Sequence, residues 1–96
     1  MHAMIRRYAA RDGAMEAGIR AWRALAARLG GEAGFVSCAV LAAGDGELVA
    51  IALFDDAPSL AAADQRIAGW RAEREAGLAR LLVQVTTGEV VAQRGL

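Results

Sequence analysis

The chain contains no lysine and no asparagine, and it carries a single histidine, a single cysteine and a single proline among 96 residues. Each scarcity closes off some chemistry. One cysteine, Cys38, cannot form an intramolecular disulfide. His2 and Cys38 cannot together supply the three or four ligands of a usual zinc site, so no metal centre is expected. Without lysine, all 11 basic residues are arginine, and they are interspersed with 11 carboxylates to give a formal net charge of zero. No basic stripe suited to a phosphate backbone results, which argues against a nucleic-acid partner. No run approaches the roughly 18 apolar residues of a membrane helix, and Arg6, Arg7 and Arg11 interrupt any N-terminal signal segment. A cytoplasmic protein with no membrane partner is expected. The alanine- and arginine-rich composition is that of a high-GC, bacterial coding sequence.

Apolar types make up 56% of the residues, but much of that share is alanine, which buries little area per residue. The length suits one domain, 1–96, with a modest core. Self-association would add to its stability.

Met4, Ile5 and Tyr8 suit a first strand over Ala3–Tyr8, which "RDG" ends. Met15, Gly18, Ile19, Trp22, Leu25, Ala26 and Leu29 then recur near every 3.6 residues, predicting a helix between Gly13 and Leu29, capped by Asp12 and stopped by Gly30-Gly31. A second strand, Phe35–Ala42, and a third, Leu48–Phe54, flank the turn "AGDG" as a hairpin. Asp55, Asp56 and Pro58 mark a helix start. Leu60, Ala63, Ile67, Trp70 and Leu78 place an apolar stripe on one helix, with Arg66, Arg71, Arg74, Glu73 and Glu75 mainly on its wet side. A fourth strand, Leu81–Ala92, follows, with a bulge or bend at Gly88. The order βαββαβ most economically forms an α+β, ferredoxin-like sandwich with both helices on one sheet face.

The third strand is apolar on both sides. Val49, Ile51 and Leu53 are assigned to the helices, leaving Leu48, Ala50, Ala52 and Phe54 on the opposite face. The second strand divides likewise, Phe35, Ala39 and Leu41 one way and Val36, Cys38 and Val40 the other. A second copy of the sheet is the simplest cover, predicting a homodimer packed sheet to sheet.

"MIRRY" at Met4–Tyr8, Gly34-Phe35, the hairpin "AGDGELVAIALFDD", Trp70 and "GEV" at Gly88–Val90 resemble the antibiotic biosynthesis monooxygenase-like (ABM-like) proteins of the dimeric α/β-barrel superfamily. The resemblance implies a ferredoxin-like protomer, a barrel closed across the homodimer, and a cavity either between each sheet and its helices or within the barrel. The activities it implies are cofactor-independent oxygenation of polyketide aromatics and haem degradation. In the quinone-forming oxygenases an aromatic residue ends the third strand, commonly Trp, and Phe54 takes that place. Their asparagine four residues earlier falls on Ala50. The haem-degrading members use Asn, Trp and His, of which this chain has no Asn and only His2 as histidine.

The ligand-binding candidates are Arg6, Tyr8, Cys38, Ala50, Ala52 and Phe54, with Arg6, Tyr8 and Phe54 the catalytic candidates. Arg6 and Tyr8 share a strand face with Met4. They stand beside an apolar cavity if Ala50, Ala52 and Phe54 line that face, whereas Arg6 or Arg7 pairs with a carboxylate at a dimer rim in the other reading. Cys38 reads as an inward thiol, inert or redox-active. Trp22 and Trp70 read as core packing against the sheet ahead of a ligand-stacking role, Asp55-Asp56 as helix-start residues and His2 as a terminal residue. "GDGELV" superficially suggests a glycine-rich phosphate loop, but its sixth position is Val49 and it joins two strands rather than a strand to a helix. The functional expectation is an ABM-like homodimer acting on a hydrophobic or aromatic small molecule as an oxygenase without metal or flavin. The alternative is a non-enzymatic dimerising or ligand-binding module.

Overall fold

The pairing of four strands sets the frame of the fold. A computed structural model of the chain describes residues 1–67, 69–70, 74 and 77–95. Strand β1 is His2–Ala9, helix α1 Ala14–Leu29, β2 Phe35–Ala43, β3 Glu47–Phe54, α2 Ala57–Ile67, a short α3 Leu78–Leu81, and β4 Leu82–Glu89. The strands form one antiparallel sheet in the order β2-β3-β1-β4. The first strand of each βαβ unit is therefore central, as the ferredoxin-like arrangement requires. Among the described residues, no helix is long and apolar enough to cross a membrane.

Pairing fixes which residues share a face, because directly opposed residues point the same way. Met4 opposes Ala52, Arg6 opposes Ala50 and Tyr8 opposes Leu48. This row is the helix side: Met4, Tyr8, Leu48, Ala50, Ala52 and Phe54 are all buried in one cluster with Trp22, Leu25 and Leu29 of α1 and Leu60, Ala63 and Ile67 of α2. The face assignment of β3 made from sequence is thus reversed. Leu48, Ala50, Ala52 and Phe54 face the protomer's own helices, while Val49, Ile51 and Leu53 take the other side. Both sets are apolar, so alternation alone carried no sign; the small Ala50 and Ala52 are what let the helices come close.

A bulge corrects the division of β2. Phe35 pairs with Phe54 but Ser37 pairs with Leu53, so one extra residue stands between them, and Cys38 opposes Ala52 and Val40 opposes Ala50. Phe35, Cys38 and Val40 thereby share the helix side, Phe35 meeting Phe54 edge-on with centroids 5.9 Å apart. Ala39 and Leu41 lie on the open face. In β4 the irregularity sits between the partners of Arg7 and Tyr8, while Gly88 pairs regularly with Ala3, so the bend expected at Gly88 is absent.

Helix α1 begins without a side-chain cap. Asp12 and Gly13 both have positive φ, 56° and 84°, so Gly13 occupies the cap position and Asp12 belongs to the preceding turn. Gly18 lets α1 settle on β3, since a Cβ there would stand 3.0 Å from Leu48 Cδ2. Asp56, by contrast, accepts the Ser59 backbone N–H at 2.8 Å and caps α2 as its position predicts. The single second helix expected from the apolar stripe ends instead at Ile67. Leu60, Ala63, Ile67, Trp70 and Leu78 are all buried, but Trp70 and Leu78 reach the core from outside α2, with Gly77 in the left-handed region before α3. Arg71, Glu73 and Glu75 lie outside the described residues. Arg28, at the end of α1, covers the Trp70 ring at 4.6 Å from its centroid, and Arg66 pairs with Glu32 to tie α2 to the loop after α1.

Candidate functional site

Helix α1 crosses β2 and β3 without sealing the edge of the sheet. The spacing Ile19, Trp22, Arg23, Ala26 places four side chains on one helical face. They look down on Cys38, Val40 and Ala42 of edge strand β2 and on Leu48 of β3, with Leu41 at the margin, and enclose a cavity of about 420 Å³. The space follows from residue size: Ala26 above and Cys38 and Ala42 below are too small to meet. Cys38 and Val40 are consequently only half-buried, although they point toward the helix.

The lining side chains are apolar except for Arg23, Cys38 and the Trp22 indole, and a substantial part of the cavity surface is polar. Trp22 has no exposed surface, and its indole Nε1–H has no acceptor among the described residues. Its ring meets Tyr8 edge-on, centroids 6.1 Å apart at 60°. Arg23 is exposed at the rim and is absent from the ion pairs of the described residues. Burial pushes the Cys38 thiol up from its ordinary 9.0, so it stays protonated at neutral pH. A groove beside Ile19 and Arg23, on the outer side of α1, also touches Glu16 and Arg20.

The residues singled out from the sequence share one sheet face but not one cavity. Cys38 borders it. Arg6, Tyr8, Ala50, Ala52 and Phe54 lie on the same face, inside the core or at its edge. Arg6 forms an ion pair with Asp64 of α2, and its Nε–H also points at Met4 Sδ, 3.4 Å away. Burial opposes the Arg6 charge, but the Asp64 carboxylate and the Tyr8 phenol outweigh it, and the guanidinium pKa is raised. Arg7 pairs with Glu47 at 2.7 Å on the open face. Both arginines thus pair with carboxylates of their own protomer. Tyr8 is 1% exposed and Phe54 fully buried.

Ile19, Trp22, Arg23 and Ala26 were not singled out as a site from sequence. The available signal was Arg23 itself, a cation four residues from Ile19 and next to Trp22, on the border of the apolar stripe. Among the described residues, no three His, Cys, Asp or Glu side chains converge as metal ligands would.

No family model and no curated protein matches the chain. Solved structures match it along nearly its whole length. A candidate antibiotic biosynthesis monooxygenase from Nitrosomonas europaea superposes with a TM-score of 0.78 at 16% identity, over 96% of this chain and 100% of that one. Another from Deinococcus radiodurans gives 0.75 at 13% identity, over 100% and 98%. SnoaB, a cofactor-independent oxygenase from Streptomyces nogalater, gives 0.63 at 20% identity, over 99% and 95%. The resemblance to the ABM-like proteins is thus supported where such distant matches can support it, in the fold: an α+β, ferredoxin-like βαββαβ protomer.

Proposed function

We propose that this chain is a homodimeric ABM-like protein that takes a hydrophobic or aromatic small molecule into the cavity beneath α1. The cavity carries the reading: it is walled by aliphatic and aromatic groups, opens at a sheet edge, and has the volume of a small-molecule site. The cofactor-independent oxygenase among its structural neighbours makes oxidation of that molecule by dioxygen the activity to test first. In such chemistry the substrate is itself the electron donor and reacts in its ionised form. Neither an arginine nor a protonated thiol removes a proton at neutral pH, so a substrate held here would arrive already acidic enough to ionise.

A second reading, a non-enzymatic ligand-binding module, is favoured by one specific observation. The position four residues before Phe54 is Ala50, which is 2% exposed and offers no polar group. Oxygen uptake with a panel of hydroxylated polycyclic aromatics separates the two. Uptake that depends on protein supports the oxygenase. Silence across the panel, with a raised melting temperature for some of the compounds, supports the binding module, since ligand at about 100 times Kd stabilises by roughly 2.7 kcal/mol. Neither uptake nor stabilisation would remove the cavity as the functional site.

Homodimerisation is supported by the sheet face that no helix of the described residues covers. Ala3, Ile5, Ile51, Leu53, Ala39 and Leu41 present a continuous apolar surface there, with Leu41 45% exposed. Burying a few hundred Å² of such surface contributes on the order of 10 kcal/mol before the costs of association. Closed two-fold pairing satisfies both copies at once.

A further inference from the structure

We infer that the cavity under α1 selects an apolar molecule with an anionic head, a carboxylate or an ionised phenol or enol, and that Arg23 is the residue that recognises the head. The inference rests on the ligand-binding reading above and adds the ligand's charge and the group that reads it.

Among the described residues, no side chain lining the cavity contains an oxygen atom. The polar side-chain groups available to an occupant are the Arg23 guanidinium at the rim and the Cys38 thiol in the wall, with the unpartnered Trp22 N–H sealed just behind the surface. Arginine and indole only donate hydrogen bonds, and a thiol accepts them weakly. A cationic or hydroxyl-rich ligand would therefore lose its hydration and find no side-chain acceptor in exchange, a loss that works against binding. An anionic head can stay at the half-wet rim with Arg23 while its apolar body displaces water from the partly exposed Ile19 and Val40. Arg23 is free of carboxylate partners among the described residues. Arg20, one turn earlier along the adjoining groove, adds charge of the same sign, and Glu16 beside it is the acidic group of that groove.

Cys38 supplies the readout, because the only thiol in the chain lies in the cavity wall. The intact protein is treated with methyl methanethiosulfonate alone, with anilinonaphthalene sulfonate, and with the uncharged N-phenylnaphthylamine of similar aromatic body, and Cys38 modification is followed by mass. Both probes are expected to slow modification. The sulfonate should do so at a concentration on the order of tenfold lower, the worth of one charge-assisted contact at a partly wet site. Arg23→Gln should abolish that preference while leaving protection by the neutral probe, and added salt should shrink the preference in the unmutated protein. Arg23 is exposed, so the variant retains the fold, which circular dichroism checks. Equal protection by both probes, unchanged in Arg23→Gln, overturns the charge selection and leaves the cavity as a neutral apolar site. A thiol that reacts freely with both probes present, or never reacts at all, overturns the cavity reading together with this one.

Discussion

Gly34 shows how far a single position is constrained. Its φ of +77° lies where side chains are disfavoured, and a Cβ there would stand 2.7 Å from Ser59 Cβ. Its carbonyl also accepts the Asp55 N–H at 2.7 Å, joining the entry of β2 to the exit of β3. Gly34→Ala combines left-handed strain with a clash against the first turn of α2, and a loss of roughly 2–3 kcal/mol in urea unfolding is expected. At Asp56 the hydrogen bonds from Ser59 hold the carboxyl below its ordinary 3.8. A depressed folded value means stability that is present above the unfolded pKa and lost as pH falls through the folded one. Asp56→Ala should therefore lower the melting temperature at neutral pH and narrow its gap to the parent protein below about pH 3; a gap constant with pH would show that the cap contributes nothing through charge. Asp56 was legible because an Asp two residues before a proline is a helix-start pattern. Asp12, read as a cap from its place before the apolar stripe of α1, failed, since Gly13 takes the cap position and leaves the aspartate in the preceding turn.

Trp22 carries the corresponding lesson for α1 as an element. Its indole fills the space between helix and sheet, yet its N–H is buried without an acceptor among the described residues, at a cost of about 1–3 kcal/mol. Trp22→Phe removes that cost while losing packing of similar size, so its stability should stay within about 1 kcal/mol of the parent. Trp22→Ala opens a void and should cost about 3–5 kcal/mol. Chemical denaturation of both variants checks the pair, and a Phe variant as damaged as the Ala variant would mean that the N–H is satisfied after all. The helical period of α1 and the hairpin of β2 and β3 were legible, because spacing and turn glycines report local geometry. The faces of β2 and β3 were not. An extra residue at the start of β2 changes which side chains point inward, and a strand apolar on both sides gives alternation no polar face to mark. The end of α2 at Ile67 was hidden by Trp70 and Leu78, whose spacing continues the stripe although the helix has stopped.

At the scale of the whole molecule, element order was enough to give the architecture, since four strands and two crossover helices have few economical arrangements. The cavity was not legible, because it arises from small residues of α1 and β2 that meet only after folding. The sheet separates two tasks: its helix side holds the core and the cavity, and its other side carries an apolar patch around Ile5, Ile51 and Leu53, beside the Arg7–Glu47 pair, that no helix of the described residues covers. Ile51→Asp puts a charge in the middle of that uncovered face. Light scattering should then give the 10.0 kDa of one chain in place of twice that mass for the parent, with circular dichroism unchanged. A parent that already has the mass of one chain would dispose of the dimer. The consequence for β3 concerns how substitutions would be tolerated along it. In a library that randomises the strand, Leu48, Ala50, Ala52 and Phe54 should be held by folding whatever the assay. Ile51 and Leu53 should accept polar residues when folding alone is selected and resist them when assembly is selected. One eight-residue strand would then record two interleaved selections, with Val49, 5% exposed, held by folding as well.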